Sequence, residues 1–191
     1  MKFLFHLLLL VAFSALLGAA WVAHRPASLA GIAGLEPPPK DAKHRDVLDE
    51  LRQAAIKRSA IIEISEAELN RHLAKTLQSK VQAPLGRWAQ FNRVVVNLDP
   101  DIAHVTLVWE VGGHLSTATV DLKVVRLEKS FQVEIVGGRY GHLEVPRGLL
   151  RPLTPALESL CHALDEDIQA LFQMNQVRLM KDKLVLDPRF L

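Results

Sequence analysis

The chain has 191 residues, 49% of them hydrophobic, with 23 Lys and Arg against 21 Asp and Glu. Lys2 and Arg25 account for the whole basic excess, so the rest of the chain carries no net charge. This balance argues against a nucleic-acid partner, because such proteins usually carry a basic stripe. The only cysteine, Cys161, excludes an internal disulfide framework and a cysteine-based metal cluster.

The N-terminus contains the strongest pattern in the chain. Residues 3–23 form an uncharged run that is interrupted only by His6 and Ser14. A helix rises about 1.5 Å per residue and needs around 20 apolar residues to cross the hydrocarbon layer. We therefore predict a signal anchor or transmembrane helix in residues 1–25.

The N-terminal helix has two alternative fates. Gly18-Ala19-Ala20 fits a signal-peptidase site, which would release a secreted or periplasmic protein. The apolar run is longer than a typical signal core, which favours an uncleaved anchor. That alternative predicts a single-pass protein of the cytoplasmic (inner) membrane with its C-terminal domain outside the cytoplasm.

The chain beyond the anchor divides into a linker and one domain. Residues 26–40 are rich in Pro, Gly and Ala and include three consecutive prolines, which predicts a stalk. Residues 41–191 are predicted to form a single extracytoplasmic α+β domain. It begins with a helix over about 41–58, for which Asp41 is a candidate N-cap.

A short apolar strand over 60–64 precedes a second helix. Ser65 and Glu68 match a capping box, in which each side chain bonds the other residue's backbone N–H. Leu69, Leu73 and Leu77 then recur on one stripe. The sequence therefore predicts that this helix starts directly after the strand.

The centre of the chain predicts a four-stranded antiparallel meander. Its turns fall at Pro100-Asp101, at Gly112-Gly113 and around 128–130. Side chains alternate along a strand, so these turns fix the pairings. Val105 falls opposite Val120, and all three turns agree on one apolar face. The other face is predicted to be exposed to water and includes Asn97, His104, Thr106, Glu110, Thr117, Thr119, Asp121, Lys123, Gln132 and Glu134.

The strand over about 114–127 is longer than usual, and long strands coil because sheets twist. A long amphipathic helix follows, with Thr154 as its cap and Pro155 in its first turn. We predict a long curved antiparallel meander wrapped around this C-terminal helix. A closing hairpin over about 177–186 completes the predicted α+β fold.

The sequence contains no recognisable catalytic motif, cofactor motif or metal-ligand spacing, so we predict no enzyme, no cofactor and no metal site. The register places His104 opposite Asp121, which is more often a cross-strand contact than half of a catalytic pair. The run Gly137–Gly141 is typical of a bulge. Residues 165–167 are expected on a solvated helix face, and Cys161 and Trp109 in the core.

Three short segments together resemble a known family. They are Ile64-Ser65-Glu66-Ala67-Glu68-Leu69-Asn70, the pattern Gly138-x-x-Gly141-x-Leu143-x-Val145-Pro146, and the closing hairpin around Val177 and Leu186. Their order resembles bacterial single-pass envelope proteins of the YpmS type, which are similar to tubular lipid-binding (TULIP-like) domains. The resemblance implies a curved sheet that wraps a helix and holds acyl chains in its groove.

These observations support a first hypothesis, a membrane-anchored domain that binds a lipid or other apolar ligand between sheet and helix. The alternative is a structural or interaction module with a filled core and an envelope protein as partner. An enzyme with a cleft around His104, Asp121 or His142 is the least favoured hypothesis. The candidate ligand-lining residues are Val105, Leu107, Trp109, Ala118, Val120, Leu122, Val133, Ile135, Leu160, Leu164 and Leu171.

Overall fold

The computed structural model describes residues 2–36, 46–57, 60–80, 89–126 and 131–189. Helix α1, Lys2–His24, leaves the domain with none of its apolar window buried. It is long and apolar enough to cross a membrane, a test that a signal sequence also passes. The rest is a mixed α+β domain with two antiparallel sheets.

The helices on the N-terminal side of the domain are α2, Val47–Lys57, and α3, Glu66–Lys80. Asp46 Oδ1 accepts from the N–H of Asp49 and so caps the start of α2, while the predicted cap Asp41 lies outside the described residues. The capping box of α3 is confirmed. The N–H of Ser65 donates to Glu68, and the N–H of Glu68 donates to Ser65 Oγ.

The larger sheet has five strands in the order β2-β3-β4-β5-β6. The predicted pairings of His104 with Asp121 and of Val105 with Val120 are confirmed. One extra residue, Val136, forms a bulge where the pairing steps from Asp121 to Leu122. The strand bounds are β2 Ala89–Asp99, β3 Ile102–Val111, β4 His114–Arg126, β5 Phe131–Tyr140 and β6 Leu143–Val145.

A smaller sheet joins the two ends of the domain. The predicted closing hairpin is present as β7, Gln176–Met180, and β8, Lys183–Asp187. Strand β1, Ile62–Ser65, pairs antiparallel with β8 and gives the order β1-β8-β7. The first strand of the domain is therefore held by the last, a pairing that sequence patterns do not predict.

The predicted C-terminal helix is divided in two. A 3₁₀ helix, Arg147–Leu153, leads into α4, Thr154–Ala163, and α5 follows over Asp165–Phe172. The break falls at Leu164, whose φ of −105° and ψ of 17° are not helical. The predicted cap Thr154 is wrong, because Leu153 occupies the N-cap position and makes no side-chain cap bond.

One face of the larger sheet forms the main core. Leu107 is 1% exposed, and Ala118 and Val120 are 0% exposed. They belong to one hydrophobic cluster with residues of all four helices of the domain and of the smaller sheet. The apolar face is therefore confirmed as the core side. That the sheet wraps around the C-terminal helix stays a prediction.

The opposite face was predicted to be exposed to water, and this is wrong at its centre. Thr106, Thr117 and Thr119 are buried together with Val95 and Val108. Thr106 Oγ1 and Thr119 Oγ1 lie 2.9 Å apart and share a hydrogen bond, which satisfies both hydroxyls. A second, smaller buried layer therefore lies on this side of the sheet.

The linker after α1 crosses this second face. The N–H of Ala27 donates to Thr117 Oγ1 on β4 (2.8 Å), and the N–H of Ala33 donates to Glu66 Oε1 at the β2 edge (3.0 Å). Because β3 lies between β4 and β2, residues 27–33 cross this face of the sheet between the two bonded positions. The part of the predicted stalk over 26–36 thus lies against the domain.

The end of α1 is also fixed to the domain. The N–H of His142 donates to the carbonyl oxygen of Val22 (3.4 Å), and Gly141 lies directly against the backbone of Ala23 and Arg25. A Cβ at Gly141 would lie 2.1 Å from the Arg25 oxygen, so only glycine fits this approach. The β5–β6 turn is therefore the seat on which α1 ends.

Candidate functional site

The eleven predicted ligand-lining residues do not share one environment. Five of them are partly buried around the core: Val105, Trp109, Leu122, Leu164 and Leu171. Four are buried within the core cluster: Leu107, Ala118, Val120 and Leu160. Val133 and Ile135, by contrast, are 45% and 37% exposed. The predicted groove is thus filled at its centre and open at one end.

Two clefts that are lined by described residues lie away from the filled centre. The larger, about 530 Å³, opens beside His104 and Asp121, and the smaller, about 270 Å³, lies between Val124 and the start of β7. None of the eleven predicted residues lines either cleft. The structure therefore does not bring the predicted set together around either of these spaces.

The open end of the apolar face lies where β4 and β5 continue beyond the bulge. Val133 pairs with Val124, and Ile135 pairs with Leu122. Leu122 and Val124 are partly buried, so the apolar strip runs without interruption from the core to the surface. Val136, at the bulge, adds a third aliphatic side chain that is 47% exposed.

The β5 edge at this end has no strand beside it among the described strands. Strand β6 pairs only with the segment from Gly138 to Tyr140, whereas β4 occupies the other side of β5. Residues 131–137 therefore present backbone N–H and C=O groups along an open edge. An open edge that carries aliphatic side chains is a template for pairing with another extended chain.

The open edge lies far from the seat of α1. Strand β5 runs from Phe131 to Tyr140, and the α1 seat follows immediately at Gly141. At about 3.3 Å per residue, the far end of β5 is about 30 Å from that seat. One end of β5 therefore lies beside α1, and the open edge lies towards the other end.

The larger cleft is lined by polar side chains of neighbouring strands of the sheet. His104 Nδ1 lies 2.6 Å from Asp121 Oδ1, and its Nε2 lies 3.4 Å from Asp99 Oδ2. Arg139 and Glu144 line the same cleft. The lining contains no Ser, Thr, Cys or Lys that could act as a nucleophile beside the imidazole. The arrangement can hold a polar group. His142, the third residue of the predicted enzyme cleft, does not line this cleft.

Sequence reasoning missed a second histidine–carboxylate pair. His72 Nε2 on α3 lies 2.7 Å from Asp167 Oδ1 on α5, and Asp167 is buried. The expectation that residues 165–167 form a solvated face is thus wrong for Asp167. Its Oδ2 is buried without a partner in the described structure. The helical spacing of Asp167 relative to Ala163 and Ala170, both buried, is the signal that could have placed it inward.

Two further expectations about side chains have different outcomes. Cys161 was expected in the core but is exposed, because α4 buries Leu160 and Ala156 instead. Trp109 is partly buried against the core, as expected. Within the described residues, no group of three or more His, Cys, Asp or Glu side chains is arranged to hold a metal ion.

No protein-family model, no curated protein and no solved structure matches the chain. The resemblance to YpmS-type and tubular lipid-binding proteins therefore stays a prediction.

Proposed function

We propose that the chain is a membrane-anchored interaction module of the cell envelope. In this proposal α1 remains uncleaved, spans the cytoplasmic membrane once, and holds the domain on the extracytoplasmic side. The domain presents the open β5 edge to an extended segment of a partner protein. The observation that carries the proposal is the aliphatic edge over residues 131–137, which no described strand pairs with and whose far end is about 30 Å from the anchor seat.

Pairing with an extended chain would use both the open backbone groups and the exposed aliphatic side chains of this edge. The backbone groups of β5 provide hydrogen bonds for any extended chain, which gives affinity. Val133, Ile135 and Val136 provide aliphatic contacts, which select a partner with apolar side chains at alternate positions. The charged side chain in this stretch is Glu134, and the aliphatic side chains of Val133 and Ile135 on either side of it are exposed.

The filled centre of the sheet supports a module without an internal ligand. Leu107, Ala118 and Val120 are at most 1% exposed and share one core cluster. Close packing of this kind leaves no space for an acyl chain along these side chains. The proposal therefore places recognition at the edge of the sheet.

A lipid or other apolar ligand is the second candidate, and the apolar strip favours it. Leu122, Val124, Val133 and Ile135 form a continuous aliphatic surface, and Val124 also lines the cleft of about 270 Å³. That volume lies just below the usual range of ligand sites, about 300–1,000 Å³. A single acyl chain lying on the strip, with its end in the cleft, would cover surface that is otherwise exposed.

Site-specific photo-crosslinking in the native membrane distinguishes the two candidates. A photoreactive amino acid replaces Val133 in the full chain, and Glu158, an exposed position on α4, provides the matched control. We expect a discrete protein adduct at position 133 and none at position 158. Mass spectrometry of the adduct then identifies a peptide or a lipid.

The outcomes separate the proposals. A peptide from another protein supports the interaction module, and a lipid adduct supports the second candidate instead. Equal labelling at both positions, or no adduct at position 133, would contradict both. A peptide from the chain itself would show that two copies pair through this edge.

A further inference from the structure

The end of the sheet that seats α1 carries an exposed surface of its own. The tip of the β3–β4 hairpin also reaches the helix end, because the rings of His24 and His114 lie 6.0 Å apart. The next residue of the hairpin, Leu115, is 48% exposed. Two turns of the sheet, Gly112-Gly113 and Gly141-His142, thus flank the end of α1.

The contact with the last turn of α1 determines how deep these two turns lie relative to a bilayer. The apolar run of α1 continues to Ala23, and His142 is hydrogen bonded to Val22 in its last turn. Trp21 lies in the same turn, and the guanidinium of Arg25 lies 5.3 Å from the centre of its ring. Trp beside Arg is typical of the boundary between hydrocarbon and headgroups. If α1 spans a bilayer, the β5–β6 turn therefore lies at headgroup depth.

The 3₁₀ helix adds apolar and basic side chains beside this turn. Tyr140 precedes the seat of α1, and its hydroxyl donates to the carbonyl oxygen of Leu149 (3.1 Å). Leu149 is 59% exposed, and Arg147 and Arg151 of the same helix are exposed. Burial raises the pKa of Tyr140. The hydrogen bond from its hydroxyl to Leu149 holds the 3₁₀ helix beside the turn.

The exposed charges at this end are basic on balance, which favours an anionic surface. Three are positive, on Arg25, Arg147 and Arg151, and two are negative, on Glu110 of the hairpin and Glu144 of β6. Basic side chains at a bilayer surface are attracted to anionic lipids, by about fivefold in binding for each residue. Exposed leucines next to such arginines are typical of a surface that lies in the interface of a membrane.

We infer that α1 is not a loose tether and that the domain lies docked on the lipid headgroup layer through this end. Leu115 and Leu149 enter the interface, and Arg147 and Arg151 contact anionic headgroups. The inference rests on the proposed anchoring by α1 and adds a fixed orientation to it. Docking directs the open β5 edge away from the bilayer, where an extended segment of a partner can reach it.

Labelling of the full chain in lipid nanodiscs tests the docked orientation. In a Cys161→Ser background, Leu149→Cys and Leu115→Cys carry an environment-sensitive fluorophore, and Gln132→Cys at the far end of β5 is the control. In discs that contain phosphatidylglycerol we expect blue-shifted emission at positions 149 and 115. Iodide should quench these two probes at least threefold less than the probe at position 132.

Charge reversal tests the lipid class. Arg147→Glu with Arg151→Glu should reduce the shielding at position 149 by more than half in phosphatidylglycerol discs. It should have little effect in discs of phosphatidylcholine alone. Arg178→Glu with Lys181→Glu, on the hairpin of the smaller sheet beside the β2–β3 turn, is the matched control and should leave shielding unchanged.

The failure of docking is distinguishable from the failure of anchoring. If the chain does not co-elute with the discs, anchoring itself fails. If it co-elutes while the probes at 149 and 132 are quenched equally, only docking is overturned. Gly141→Ala crowds the seat of α1 and should release the domain, whereas Gly137→Ala, whose Cβ would meet only Asp121 at 3.6 Å, should not.

Discussion

The two edges of the larger sheet differ in whether side chains of the domain bond to their backbone groups. At the β2 edge, Glu66 Oε2 accepts from the N–H of Leu98 (2.8 Å). Asn70 accepts from the N–H of Val96 (2.7 Å) and donates to the carbonyl oxygen of the same residue (2.8 Å). At the β5 edge, residues 131–137 have no such partners among the described side chains, and aliphatic groups are exposed instead.

The difference shows how this chain controls strand pairing. Edge strands attract other chains, and proteins usually protect them with charges, bulges or covering elements. Here α3 covers the β2 edge with two polar side chains that are themselves buried, and Ala33 of the linker bonds to both of them. One edge is therefore closed within the molecule, and the other is the edge at which we propose contact with a partner.

Removing the closure of the β2 edge should have the largest effect on stability. Glu66→Ala leaves the N–H groups of Leu98 and Ala33 without their acceptor inside the protein. The Asn97 amide loses the same acceptor. A buried unsatisfied group such as the Leu98 N–H costs about 1–3 kcal/mol, and each of the two partly buried donors costs less, so we expect a loss of about 4 kcal/mol in the free energy of unfolding. Urea denaturation measures it. Glu158→Ala, at an exposed position, should stay within about 0.5 kcal/mol of the wild type.

Shortening a side chain of the apolar face should reduce the free energy of unfolding more at its filled centre than at its open end. Leu107→Ala creates a cavity in the core and should cost about 3 kcal/mol. Ile135→Ala, on the same face but 37% exposed, should cost less than about 1 kcal/mol. Equal losses in urea denaturation would contradict a face that changes from core to open surface.

The ion pair between Arg189 and Asp187 should make the stability of the protein depend on pH. Arg189 donates to Asp187 and lowers the pKa of that carboxyl from 3.8 to about 2. A lowered pKa stabilises the folded state above about pH 4, and the contribution is lost as the pH falls towards 2. Because the Arg189 side chain is 51% exposed and water screens the pair, we expect less than about 1 kcal/mol. The stability difference between wild type and Asp187→Asn should therefore shrink below about pH 4 and vanish only below about pH 2.

Charging the open edge should affect stability least. Val133→Lys places an ammonium group where the native side chain is already 45% exposed. We expect a change within about 0.5 kcal/mol in urea denaturation, because surface substitutions rarely exceed this. In the same variant the protein adduct formed from a photoreactive group at position 135 should disappear. A retained adduct would show that the β5 edge is not the contact surface.

The strand register could be predicted because it depends on local rules. The turns at Pro100-Asp101 and Gly112-Gly113 set which residues face each other, and alternation then assigns both faces. The capping box of α3 is likewise local, since Ser65 and Glu68 lie three residues apart. These features need no knowledge of the rest of the chain.

The predicted binding residues were less successful because a hydrophobic pattern does not reveal depth. Val120 and Ile135 lie on the same face, yet one is completely buried and the other is 37% exposed. Only the position of the neighbouring helices decides which part of an apolar face is covered. The same reason explains why Cys161 and Asp167 have the reverse of their expected burial.

The sequence alone determined the apolar N-terminal helix, the antiparallel register and the division into an apolar and a polar face. These follow from the period of side chains along a helix or strand and from the conformations that Gly and Pro favour in turns. The tertiary structure decided that β1 pairs with β8 and that residues 27–33 cross the polar face. It also decided that α3 closes one edge of the larger sheet, while no described strand pairs with residues 131–137 at the other. Such contacts join segments far apart in the chain, so their energies depend on the assembled fold and on no local pattern.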